Sequence, residues 1–297
     1  MIKNMLYMKL LIENDVAKFE EYVSIYQKFF STYVNLFGQA IDHHKYNDSL
    51  PLSVERDVWE YHQYLQYPIR KLEYSFMLYN TPDLNNEIKT LDAGCGVTPT
   101  ARYFASEGCE SFGVDVKSET IDYLKNPNNI LYDSSVNYSV QNLTNLKFEN
   151  DFFDIITCIS VFEHLNPGDD TLALKELLRV LKPNGKIILT VDFGTKANLY
   201  NLKFGFDLIK QRKFKQIIQR LQKNGIPFKQ NDAYNFDKLK KRIIKPFEEN
   251  IQDEIPKSID VSEKEIGNFW KTYWQPGFFY RKDRPRTYVS VGMILTK

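Results

Sequence analysis

Asp92, Gly94 and Gly96 form an Asp-x-Gly-x-Gly spacing immediately after a short apolar run, in "TLDAGCGVTPTARYFASEG". Two glycines one residue apart allow positive φ and a close approach of the backbone to a ligand. A carboxylate beside them accepts hydrogen bonds from an ammonium, directly or through water, and repels a diphosphate. Nineteen residues after Gly96 a second carboxylate, Asp115, closes "SFGVD"; an acid at the end of the second strand of an α/β unit holds a ribose diol. Further on stand Glu163 and His164 in "CISVFEHL", and Asp192 in "KIILTVDF". An imidazole or carboxylate there can take the proton of an attacking hydroxyl.

Other uses of the glycine turn are excluded by what is missing. A nicotinamide fingerprint needs glycine where Pro99 stands, and the Gly-Lys-Ser/Thr of a nucleotide-triphosphate loop is absent. Two carboxylates and two glycines suit a cationic, ribose-bearing ligand without phosphate, and S-adenosylmethionine is such a ligand.

The elements that must carry these residues read as an α/β alternation. "IKTLDAG", "SFGVDV", "VNYSVQNL", "FDIITCIS" and "KIILTVDF" read as strands. "TARYFASEG", closed by Gly108, "SETIDYLKN" and "TLALKELLRVLKPNG" read as the helices between them. Strands alternating with helices imply a parallel sheet covered on both faces. Thr98 is placed to cap the first of these helices, with Pro99 at its first position. The final "TYVSVGMILTK" reads as one more strand.

The ordered motifs "LDAGCG", "GVDVKSE", "QNLTNLKFENDFFDIITCISVFEHL" and "LKELLRVLKPNGKIIL" resemble those of the class I S-adenosylmethionine-dependent methyltransferases over about residues 85–195. The resemblance implies a Rossmann-like, seven-stranded, mostly parallel sheet whose last strand runs antiparallel. It implies that Asp92, Gly94 and Gly96 line the methionine part of the cofactor, that Asp115 takes the ribose hydroxyls and that Val116 lies against adenine. Ala93 and Ser160 join the cofactor-binding set. Asn142, where the family often carries an aspartate, accepts from the adenine amino group, and Leu143 packs on the ring. The product is S-adenosylhomocysteine. Glu163 and His164, beyond the fourth strand, are the candidate catalytic bases; Asp154 is expected to cap loop amides and Cys95 to pack.

Around that core the chain divides into a helical N-terminal extension, 1–84, and the methyltransferase domain, 85–297, with a basic helical insertion over about 196–260. In the extension Phe19, Tyr22, Val23, Tyr26, Phe29, Phe30, Tyr33 and Phe37 recur at spacings of three and four, and Pro68 kinks or splits a second helical stretch. Lys203 to Lys245 holds 13 Lys/Arg against three Asp, in a chain whose net charge is +1. That segment is read as a lid with Leu208, Ile209, Phe214, Ile217, Ile218 and Leu221 on one face, drawing an anionic or sugar-like acceptor. Tyr273, Trp274, Phe278 and Tyr280 are candidates for a substrate wall.

A hydrophobic fraction of 43% is that of an ordinary globular protein. No apolar run reaches the roughly 18–20 residues of a membrane helix, and no signal peptide is read at the N-terminus. Three cysteines, none at a metal-ligand spacing, fit a reducing cytoplasm. Neither a metal nor a nucleic acid partner is expected. The expected reaction is methylation of an oxygen; methylation of a small amine, or a cofactor-binding regulatory subunit without turnover, are the alternatives.

Overall fold

The computed structural model describes residues 5–11, 29, 31–42, 54, 57–58, 62, 68–194, 233–246, 264–265 and 288–297. Within them lie seven strands of one sheet: β1 (Met5–Leu11), β2 (Lys89–Ala93), β3 (Glu110–Asp115), β4 (Val136–Val140), β5 (Phe153–Ile159), β6 (Leu181–Gly194) and β7 (Tyr288–Thr296). Their order is β1-β7-β6-β5-β2-β3-β4. The five strands from β4, at one edge, to β6 pair in parallel, while β7 runs antiparallel to β6 and β1 antiparallel to β7.

The helices are α1 (31–42), α2 (Pro68–Asn80), α3 (Thr100–Ser106), α4 (Ser118–Lys125) and α5 (Asp169–Val180). A short helix, Phe236–Leu239, continues into a π-helical turn, Lys240–Ile244. The helical reading of residues 1–84 needs one correction. Met5–Leu11 is not helix; it pairs along its length with β7, from Met5 opposite Thr296 to Leu11 opposite Ser290. "MLYMKLL" is too short to show a period, and its partner lies at the far end of the chain. Pro68 opens α2, where its missing N–H costs nothing.

The strands of the middle read as apolar runs because both faces are covered. Leu91, Ile155, Ile156, Cys158, Ile187, Ile188 and Leu189 are buried to 1% exposure or less. Phe29, Tyr33, Phe37 and Ala40 share the buried side of the α1 region, and Phe29 lies against Tyr74 of α2 and Tyr103 of α3 at centroid distances of 5.3 and 5.4 Å. α2 in turn beds on β7. A Cβ on Gly292 would come within 2.6 Å of the Phe76 ring, so glycine makes the notch that Phe76 fills.

At the other end of the sheet, Asp154 Oδ2 accepts from the Lys89 amide (2.9 Å) and from Lys182 Nζ (2.7 Å), which is the capping role expected of it. The Leu-Lys-Pro-Asn-Gly segment after α5 breaks the register of β5 against β6: Phe153 faces Leu181, but Ile155 faces Lys186. Asn184 there takes a left-handed φ of 66°, and its amide donates to Lys297 O at 2.8 Å. The helix α5 stops at Val180, before Pro183.

The 203–245 segment is described only from residue 233. There Tyr234 pairs with Phe193 at the end of β6, and its hydroxyl donates to buried Asp170 of α5 at 2.6 Å. The expected lid face (Leu208 to Leu221) and the aromatic wall (Tyr273 to Tyr280) lie outside the described residues.

Candidate functional site at the carboxyl ends of the strands

Gly94 and Gly96 form the turn after β2, with φ of 77° and 47°. The amides of Gly94 and Cys95 donate to Val114 O at 2.8 and 2.9 Å, folding the turn over the end of β3. The two glycines are needed for different reasons. A Cβ on Gly94 would sit 2.7 Å from both γ-carbons of Val161, whereas a Cβ on Gly96 would meet nothing within 4 Å. The first permits close packing, and the second leaves open space beside a left-handed backbone.

Asp115 holds this open side. Its Oδ2 accepts from the Gly96 amide and its Oδ1 from the Lys117 amide, both at 2.9 Å. A carboxylate oxygen has two acceptor positions, so each keeps capacity for a ligand hydroxyl. Val116, next in sequence, is 68% exposed, an apolar side chain that a bound ring would cover. Lys117 reaches back to Asp57 of the N-terminal region at 2.9 Å, which brings that region to this edge of the site.

Asp92 is buried, and both of its oxygens are engaged. Thr98 Oγ1 donates to Oδ2 at 2.7 Å and Thr157 Oγ1 donates to Oδ1 at 3.1 Å. Burial is the main cause that pushes its carboxyl up to about 6, and the two hydroxyls hold it down. Thr98 thus does not cap α3, as its position before Pro99 suggests. Pro99 occupies the N-cap position without a side-chain cap, and the Ala101 backbone in the first turn of α3 hydrogen-bonds to Asp92 instead. Ala93 is fully buried at the end of β2. Cys95 is buried as well, and burial pushes its thiol well up, in keeping with a packing role.

Beyond β4, Asn142 Oδ1 accepts from both the amide and the hydroxyl of Thr144 at 3.0 Å. The oxygen expected to meet an adenine amino group is therefore turned into its own loop. Gln141 is also committed: its Nε2 donates to Ser139 Oγ at 2.9 Å, and its Oε1 accepts from the Lys147 amide at 2.8 Å. Leu143 is buried.

Beyond β5 the chain turns sharply. Ser160 has a left-handed φ of 52°, Val161 packs on Gly94, and Phe162–His164 form one 3₁₀ turn. Glu163 does not face solvent; it is 3% exposed. Its Oε1 lies 3.4 Å from the Asp192 amide, while its Oε2 has no hydrogen-bond partner. Burial first, then the Asp192 carboxylate, push the Glu163 carboxyl well above the usual range, with Glu73 adding to this and Arg70 opposing it. His164 is exposed, yet the protein packed around its ring and then the charges of Arg70 and Lys117 lower it to about 4. It is thus neutral at pH 7 and a weaker base than a free histidine.

Glu73 is a residue that sequence reasoning misses. It is fully buried in the middle of α2, and its Oε1 accepts three hydroxyls: Ser160 at 2.7 Å, Thr190 at 3.1 Å and Ser290 at 2.6 Å. Its Oε2 is paired with Arg70. A signal is present in "PIRKLEYSFMLYN", where Glu73 shares the helical spacing of buried Ile69, Leu72, Phe76 and Met77. Among the described residues no group of three or more His, Cys, Asp or Glu side chains is arranged to hold a metal, and no helix is long and apolar enough to cross a membrane.

A family profile described as a methyltransferase domain matches residues 91–189. A ubiquinone biosynthesis O-methyltransferase of Coxiella burnetii is 33% identical over 113 residues, which is 38% of this chain and 47% of that protein. An uncharacterized methyltransferase of Bacillus subtilis is 30% identical over 118 residues, 40% of this chain and 46% of that protein. The chain thus spans about half the length of these curated relatives. Among solved structures, Haemonchus contortus phosphoethanolamine N-methyltransferase 2 aligns over 76% of this chain and 52% of that one, at 16% identity and a TM-score of 0.49. An S-adenosylmethionine-dependent methyltransferase from Mesorhizobium loti aligns over 41% and 54%, at 18% identity and a TM-score of 0.35. With the glycine turn, the two acids and the strand order already described, residues 91–189 are a methyltransferase domain of the class I, S-adenosylmethionine-dependent family.

Proposed function

We propose that this chain transfers a methyl group from S-adenosylmethionine to an oxygen of a small acceptor, which we take to be anionic or sugar-like. The observation that carries the reading is the pairing of Gly96 with Asp115: a left-handed glycine with open space at its Cβ, its amide donated to a carboxylate. These residues fit the cofactor. Asp115 has acceptor capacity left for a ribose diol, exposed Val116 offers a face to adenine, and buried Asp92 sets a negative charge under the turn that suits the ammonium and sulfonium. Gly94, Ala93, Ser160 and Leu143 complete the walls. Asn142 would contribute its backbone, or its amide nitrogen, since its oxygen is taken.

When bound, S-adenosylmethionine supplies an electrophilic methyl whose transfer removes the positive charge from sulfur. The chain's own task is to align the acceptor oxygen about 3 Å from that carbon and to keep water out. The acceptor proton must also leave. Glu163 is the better placed base: its Oε2 has no hydrogen-bond partner, and burial and then the Asp192 carboxylate, by raising its carboxyl, make its anion the stronger proton acceptor. His164 is the second candidate. The ubiquinone-pathway relative supports an oxygen acceptor through its name alone, as does the basic segment 203–245 for an anionic one.

A second reading, methylation of a small amine, is favoured by one observation: the unpartnered Glu163 oxygen lies among further buried carboxylates, Asp192 and Glu73. Such a group would accept the proton of an ammonium before attack. Calorimetry with S-adenosylhomocysteine tests the cofactor reading, and Asp115→Ala is expected to weaken binding at least tenfold. Release of S-adenosylhomocysteine across matched panels of hydroxyl and amine acceptors then decides between the two. Binding with no release on any acceptor would leave a regulatory subunit.

A further inference from the structure

We propose that Glu73, contributed by the helix before the methyltransferase domain, is the positioning residue of the cofactor site. It fixes the left-handed Ser160 turn that seats Val161 on Gly94. The inference rests on the cofactor reading above and adds to it a requirement from outside residues 91–189.

The left-handed Ser160 backbone is costly for a residue with a Cβ, so something must hold it. Two groups do. The Ser160 amide donates to Thr190 at the carbonyl and at the hydroxyl, both 3.1 Å. The Ser160 hydroxyl donates to Glu73 at 2.7 Å. The Thr190 hydroxyl that receives the amide is itself oriented by donating to Glu73. One carboxylate oxygen therefore controls both anchors of the turn, and through Ser290 it also ties β7 to the same point. Thr190 and Ser290 come from β6 and β7 and Ser160 directly follows β5, so three neighbouring strands converge on a single side chain.

The turn matters because it places Val161. That side chain touches the space where a Gly94 side chain would be. Should Ser160 relax to an ordinary φ, Val161 moves off Gly94 and the glycine loop loses its floor on the β5 side. Arg70 neutralises the second Glu73 oxygen and is also one of the charges that act on Glu163 and His164. The helix thus sets the loop that would hold the cofactor and part of the field at the acceptor side.

The test is calorimetric titration of the full chain with S-adenosylhomocysteine, each variant's folding checked by thermal melting. Glu73→Gln is expected to bind at least tenfold more weakly than wild type. Adding Ser160→Gly, which takes a left-handed φ without an anchor, is expected to recover most of that loss. Asp154→Asn, at the opposite end of the strands, serves as the stability control and should bind like wild type even with a lowered melting temperature. Glu73→Gln binding within twofold of wild type, or no recovery with Ser160→Gly, overturns the inference. Should Glu73→Gln fail to fold, Thr190→Val and Thr190→Ser are compared in the native chain: weak binding by the first, which loses the hydroxyl between the Ser160 amide and Glu73, and near-native binding by the second, which keeps it, supports the inference, and equal binding by the two overturns it. A wild-type chain that gives no heat overturns the cofactor reading itself and this inference with it; a wild-type chain that binds while Glu73→Gln binds equally well overturns the inference alone.

Discussion

Asp92 has its carboxyl raised from 3.8 to about 6 by burial, which ties stability to pH with a definite sign. Because the folded value lies above the unfolded one, this residue's contribution is fully present below about pH 4 and is lost as pH rises through about 6. The difference corresponds to a cost on the order of 3 kcal/mol at neutral pH. Asp92→Asn should therefore gain stability relative to wild type between about pH 4.5 and 7.5 in calorimetric melts, while losing cofactor affinity. Parallel curves for the two proteins would count against a charged, buried Asp92. Glu163→Gln should likewise leave the fold intact or firmer at pH 7 and lower turnover by roughly 10²–10⁴, the usual contribution of a general base. If turnover is unchanged, the proton leaves by another route. Gly94→Ala meets two obstacles, an overpacked contact with Val161 costing about 1–3 kcal/mol and a left-handed φ costing about 1–2 kcal/mol. Val161→Ala in the same chain should return the packing part and not the rest, read by urea denaturation.

For the elements, legibility tracks the range of the forces involved. The strands β2 to β6 and the helices between them can be read because each is a local pattern: an apolar run closed by Gly94, by Gly108 or by the Pro183–Gly185 stretch. The glycine turn and Asp115 are visible for the same reason, being residues of fixed type at fixed offsets along the chain. The acceptor side is less legible. Glu163 is buried beside the Asp192 amide of β6, which no local pattern in "FEHL" connects to it. Thr98 looks like a helix cap, but the first-turn Ala101 backbone bonds to Asp92, an acid that stands six residues before Thr98 and meets it only across the turn. Asn142 aligns by register, but its oxygen is claimed by Thr144 two residues away, an Asx-type turn that "NLT" encodes. Tyr234 carries a prediction at this scale. Its hydroxyl fastens the segment after β6 to Asp170, which keeps the Arg242 contact at 3.3 Å and the amides of Gly168 and Thr171. Tyr234→Phe should therefore cost about 1–3 kcal/mol, the loss of one buried charge-assisted bond, measured by denaturant midpoint, with cofactor binding retained.

Across the whole molecule, the sheet depends on its two most distant strands. β7 is inserted between β6 and β1, and β1 shields what would otherwise be a long row of unpaired backbone groups. Deleting residues 1–11 should lower the melting temperature and produce concentration-dependent association on size-exclusion chromatography. A monodisperse truncated chain of native stability would show that β1 is dispensable.

That pairing of Met5 with Thr296 also has a consequence in time. All of residues 12–287 are made between β1 and its sheet neighbour β7, so β1 waits for that whole interval before its partner exists. Contacts this far apart in sequence form slowly. Pulse-labelled hydrogen exchange during refolding should accordingly find the β1 amides among the last to be protected, well after those of β2 and β5. In the cell, that delay is an interval in which a holdase would be useful.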